Sequence, residues 1–219
     1  MNISNILMYV SSGMVIFGFL LYFILILVGR NKIVSKGECY GEVKDIVSEF
    51  DIINMIETKG YFTVYNIKRK VIKLTSKCYY GKDLSSFGIS LMEAGVSIVD
   101  KKKNKYIDFF RKIFDNLKIL YIFAILAIFI NHASFNVSDA KTSLIFMIVF
   151  TFISYVLLEI KENGCYYVQE CLEKNKDISG ENCQKISKFM NSLLWTDKLI
   201  YLGEILMIIR MILLMFEII

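Results

Sequence analysis

Long apolar runs separated by charged stretches set the pattern of this chain. From Met1 to Gly29 no side chain carries a charge. Residues 6–28, ILMYVSSGMVIFGFLLYFILILV, would extend roughly 34 Å as a helix, enough to cross a bilayer core of about 30 Å. No charged segment precedes this run and no small-residue cleavage site follows it before Arg30 and Lys32, so it reads as an uncleaved anchor, not a signal peptide. Three further apolar blocks follow at 119–135, 142–158 and 199–219. The first two are joined by the short polar stretch NHASFNVSDAK and read as a transmembrane hairpin, because a helix apolar on all sides needs apolar surroundings.

Between the blocks the periodicity changes. In residues 37–57, Val43, Ile46, Val47, Phe50 and Ile53 recur at helical spacing on an otherwise charged segment, which predicts an amphipathic helix. YFTVY at 61–65 and KVIKL at 70–74 are rich in aromatic and β-branched residues and flank the polar NIKR, which predicts a β-hairpin supported by a helix. Residues 84–99 are mildly apolar and carry Glu93. Residues 101–118 place Tyr106, Phe109, Phe110, Ile113, Phe114 and Leu117 opposite Lys and Arg, the pattern of a basic helix lying in a membrane interface.

The expected architecture is therefore a mainly α integral membrane protein, with about four transmembrane helices and a small cytoplasmic α+β module of helix, β-hairpin and a further helix. Its segments are an N-terminal transmembrane anchor at 1–29 and a cytoplasmic module at 30–118. A transmembrane hairpin at 119–158, cytoplasmic helices at 159–198 and a C-terminal transmembrane helix at 199–219 follow.

Composition agrees with this pattern. Of the 219 residues 55% are hydrophobic, above the roughly 45–50% of an average soluble domain. Proline is absent where about 11 would be average, so no helix is kinked by it. Charge sets the orientation: residues 30–118 hold 18 Lys or Arg against 11 acids, whereas 159–198 hold six Lys against seven acids. The positive-inside rule puts the long loop 30–118 in the cytoplasm of a multi-pass cell-membrane protein. The net charge of +5 then reflects topology and attraction to anionic lipid headgroups. No glycine-rich phosphate loop and no nucleic-acid motif is present. The five cysteines form no CxxC pair and read as free structural thiols.

One stretch carries chemistry. The run Tyr65 to Asp100, YNIKRKVIKLTSKCYYGKDLSSFGISLMEAGVSIVD, resembles the signature of membrane-anchored neutral zinc metallopeptidases of the YugP-like type. There a hairpin ending in leucine and a V-Y-x-G turn lead into an A-A-H-E-V-G-H-A helix; Leu74, Tyr79, Tyr80, Gly81 and Glu93 to Gly95 fall in that order and spacing. The resemblance implies zinc, held by two histidines at i and i+4 with the glutamate between them as general base. The matching positions are Met92, Glu93, Ala94, Gly95 and Val96: the glutamate is kept and both histidines are replaced. The family's third ligand, a carboxylate, aligns with Lys161, with Glu159 and Glu162 beside it.

Zinc hydrolysis depends on the metal lowering the pKa of bound water from about 15.7 to about 7. Methionine prefers soft metals and valine has no lone pair, so no metal ligand is assigned here and Glu93 is a vestigial general base. The single histidine, His132, lies in the hairpin connection and reads as an interfacial residue. Cys78 with Asp83 and Glu93 could form a new metal or thiol site, but no histidine on that side can serve the thiol as base.

The chain thus reads as a catalytically inactive relative that acts as a membrane scaffold. Its expected partners are the lipid bilayer and another membrane protein or a second copy of itself, with no nucleic acid and no cofactor. The first alternative is an active zinc peptidase using Glu93, Glu159 or Glu162 as substitute ligands. The second is a small oligomeric channel or transporter element using Glu204 and Arg210, which lie on different faces of the last helix at about 100° per residue.

Overall fold

The computed structural model of the chain describes residues 3–50, 54–60, 63–66, 69–102, 137–175 and 178–215. Its elements are α1 (Ile3–Arg30), α2 (Cys39–Ile46), a 3-10 turn (Ser48–Phe50), β1 (Asn54–Thr58), β2 (Val64–Asn66), β3 (Val71–Thr75), α3 (Ser76–Tyr80), α4 (Leu84–Lys102), α5 (Val137–Lys174) and α6 (Gly180–Met215). The chain divides into two compact units. One is drawn from Met1–Leu21, Phe109–Leu157 and Thr196–Ile219, the other from Tyr22–Asp108 and Leu158–Trp195.

In the first unit Val15 of α1 meets Met147 of α5 and Met207 and Met211 of α6 in a buried cluster. Small residues let α1 and α6 approach closely. A Cβ on Gly18 would lie 2.6 Å from Ile200 Cγ1, and one on Gly203 would lie 2.9 Å from the Ser11 carbonyl. Arg210 Nε donates to the Ser4 carbonyl at 3.0 Å and to Ser4 Oγ at 3.1 Å. Glu204 is buried in the same unit, and its Oε2 has no hydrogen-bond partner among the described residues.

These helices correct the expected fold class. Among the described residues one helix, α1, is long and apolar enough to cross a membrane, so a multi-pass fold of about four spans is not supported. The block 119–135 and His132 lie outside the described residues, and the connection NHASFNVSDAK is described only from Val137, where α5 begins. The block at 142–158, and that at 199–219 as far as Met215, are stretches of helices 38 and 36 residues long that run on through charged sequence. They bury Met147, Phe150, Ile153, Met207 and Met211 within the protein. Apolar content alone does not separate a face packed on other helices from one that meets lipid. The exposed apolar residues of α1, among them Phe17, Phe23 and Leu27, give that helix the stronger case.

In the second unit a mixed sheet of order β1-β3-β2 is covered by α3 and α4, and α2 packs on those two helices. The expected hairpin is present as β2 and β3, antiparallel, with Tyr65 opposite Ile72. The segment 37–57, in contrast, is not one helix: α2 ends at Ile46 and β1 follows, parallel to β3, with Met55 opposite Ile72. Pairing of β1 with β3 is long-range, so it leaves no mark on the local helical spacing that 37–57 displays. Helix α4 is the centre of this unit. Fifteen of its nineteen residues are buried, more than an amphipathic surface helix buries, the exceptions being Ile89, Glu93 and the terminal lysines Lys101 and Lys102.

Candidate functional site

The helix that carries Glu93 is fixed at its start, middle and end. At the start, Asp83 caps it: Oδ1 accepts from Ser86 N at 2.9 Å and Oδ2 from Ser86 Oγ at 2.7 Å. The same end is tied to the chain leaving α1, with Leu84 N donating to the Lys32 carbonyl at 2.8 Å and Val34 N donating to the Lys82 carbonyl at 3.0 Å. Asp83 therefore satisfies an otherwise orphaned helix amide, a structural use of the carboxylate.

At the middle, Glu93 Oε2 accepts the backbone N–H of Tyr65 at 2.7 Å. Tyr65 lies on β2, which among the described residues is a margin of the sheet, and an edge-strand amide needs such an acceptor. Seven residues on, at the end of the helix, Asp100 Oδ2 accepts from Tyr65 Oη at 2.7 Å and from Lys70 Nζ. Two carboxylates of α4 thus grip one tyrosine, at its backbone and at its phenol. Asp100 is buried and Lys70 largely exposed, and Lys70 has φ of 51°, a left-handed turn conformation unusual for a side chain with a Cβ.

The opposite side of α4 packs on α5 with no side chain between them. A Cβ on Gly164 would lie 2.6 Å from the carbonyl carbon of Gly95, so glycine is required at this crossing by contact. Phe189 of α6 fills the notch left by Gly88 on α4 and Gly29 on α1. Met92 and Val96, the positions of the missing imidazoles, are 8% and 2% exposed.

Sequence reasoning gathered Cys78, Asp83 and Glu93 as a possible new site. In the structure each has a separate role: Asp83 caps α4, Glu93 binds Tyr65, and the Cys78 amide donates to Thr75 Oγ1 at 3.3 Å as the N-cap contact of α3. Glu159 and Glu162 are exposed on α5. Burial pushes the Cys39 thiol well above its ordinary value; the Ser90 hydroxyl approaches it and opposes the shift, but falls short of hydrogen-bond geometry. The clamp by Asp100 and Tyr65 was missed from sequence. The signal available was the seven-residue spacing of Glu93 and Asp100, which puts both on one helix face.

A helix-borne glutamate between two residues one turn apart, reached from a short hairpin, is the layout of a zinc-peptidase core with a changed donor set. A family model described as "Putative neutral zinc metallopeptidase" matches residues 44–216, and the chain belongs to that family. No curated protein and no solved structure matches it at a significant level.

Zinc is the metal expected of this family. The residues present do not fit it. A thioether and an isopropyl group stand at the two imidazole positions, both enclosed in the helix packing, and the carboxylate between them is engaged by Tyr65. Among the described residues no three His, Cys, Asp or Glu side chains gather to replace them.

Proposed function

We propose that this chain is a non-catalytic member of the neutral zinc metallopeptidase family, anchored to a membrane through α1, in which Glu93 holds the sheet to the helix and has no reaction to catalyse. The observation that carries the reading is the Glu93–Tyr65 hydrogen bond, set between buried Met92 and Val96. A general base needs a free carboxylate beside an activated water. Here the carboxylate accepts a main-chain amide, and its neighbours offer no ligand that zinc prefers.

The role that remains is to hold a partner at the membrane. Helix α1 supplies the anchor, with 28 residues, no acidic residue and one basic residue at its end. The excess of Lys and Arg in 30–118 favours a cytoplasmic position for the module that follows it. The test is the metal content of the full chain, purified in detergent after exposure to zinc and removal of the free ion. Substoichiometric zinc, unchanged by Glu93→Gln, is expected; one equivalent per chain would overturn the reading.

A further inference from the structure

Strand β1 lies at the margin of the sheet, hydrogen-bonded to β3 alone, and among the described residues nothing pairs with its outer edge. Natural proteins blunt such edges with lysine, proline or a bulge. β1 has none of these: its sequence is NMIET, its five residues pair in unbroken register with Val71–Thr75, and Ile56 is 40% exposed.

Beside this edge lies an aromatic and acidic platform. Ser76 Oγ donates to Glu57 Oε1 at 2.6 Å and Tyr80 Oη donates to Glu57 Oε2 at 3.1 Å, so both oxygens of this β1 carboxylate are held in place by hydroxyls. No described lysine or arginine forms an ion pair with it. Tyr79 stacks on Tyr40 with centroids 4.4 Å apart and planes 4° apart, and Tyr80 meets Tyr79 edge-on at 4.9 Å. The hydrogen bond to Glu57 and then its charge hold the Tyr80 phenol above its ordinary value, and Glu38 adds to the same acidic field.

We infer that the free edge of β1 docks an extended, Lys- or Arg-bearing segment of a partner protein, paired through its backbone and seated by a cationic side chain on the Tyr79/Tyr80 platform beside Glu57. An open strand edge supplies main-chain hydrogen bonds without sequence preference, and an adjacent pocket or platform supplies the selection. Aromatic faces and an uncompensated carboxylate select a cation. A second copy of this chain is disfavoured as occupant, because it would bring Glu57 and Glu38 against the same acidic pair. The inference deepens the scaffold half of the proposed function by naming the surface that holds the partner, and it rests on that reading.

The probe is a short fluorescein-labelled peptide alternating valine with lysine, titrated by fluorescence anisotropy against the full chain in detergent micelles. Saturable binding is expected. It should weaken about tenfold or more with Glu57→Lys and be lost when alternate peptide amides are N-methylated, a change that leaves the protein untouched. A peptide alternating valine with glutamate should not bind. Absence of binding, equal binding of the N-methylated or glutamate peptide, or retention of affinity in a folded Glu57→Lys chain would each overturn the inference. A failure here together with substoichiometric zinc would leave the non-catalytic reading standing, so the two are judged separately.

Discussion

Glu93 Oε2 and the backbone N–H of Tyr65 lie 2.7 Å apart, and this contact joins the middle of α4 to the margin of the sheet. Where the family resemblance implies a base facing metal-bound water, this chain has a carboxylate facing its own main chain. Removing it leaves a partly buried amide without this acceptor. Glu93→Ala is expected to cost about 1–3 kcal/mol of stability, and Glu93→Gln less, since the amide oxygen can still accept. Chemical denaturation reads the loss, and faster exchange of the Tyr65 amide locates it.

The crossing of α4 and α5 at Gly95 and Gly164 is a second structural constraint. Backbone atoms fill the space a Cβ would need on either helix. Gly164→Ala should therefore destabilise by about 1–3 kcal/mol despite alanine's better helix propensity, because the helices must separate. The Gly95→Ala and Gly164→Ala effects should not add in the double variant, since one displacement relieves both clashes. Thermal melts of the three chains measure this.

Asp83 offers a smaller and more local test. It accepts both the amide and the hydroxyl of Ser86 at the start of α4. Asp83→Ala should cost about 1 kcal/mol and Asp83→Asn a fraction of that, as expected for a helix N-cap. Denaturant midpoints of the two variants, compared at equal m-value, report the difference.

Alkaline pH should weaken the fold through Cys39. Burial raises its thiol pKa in the folded chain, with the carboxylates of Asp83 and Glu42 adding to the shift. The unfolded thiol ionises near about 8.5, so above that pH the unfolded state loses a proton that the folded state keeps. The contribution is complete below that pH and declines as pH rises toward the folded value. Cys39→Ala should flatten that slope, and in the folded chain Cys39 should resist iodoacetamide at pH 8, read by peptide mass mapping.

Local pattern revealed those parts of the fold that are set locally. The charge-free run at 6–28 became α1, Ile3–Arg30, and the β-branched runs on either side of NIKR became β2 and β3. β1 was hidden because 37–57 keeps helical spacing to its end, while the force that makes residues 54–58 a strand is pairing with β3, some seventeen positions on. The number of spans was overread because the apolar blocks at 142–158 and 199–219 look alike in composition whether they face lipid or pack on another helix. At the site, the retained glutamate and lost histidines were legible. The new partner of Glu93 was not, because it is a backbone group of a residue 28 positions away and carries no sequence signature.

The proposed non-catalytic role makes Glu93 a structural residue, held by the Tyr65 amide. The most direct measurement compares the native chain with Glu93→Gln in parallel, by hydrolysis of a quenched-fluorescent peptide mixture with zinc supplied. The expected result is no metal-dependent cleavage by either chain, with a small loss of stability in the variant. Zinc-dependent cleavage by the native chain that Glu93→Gln abolishes while the fold persists would contradict the account.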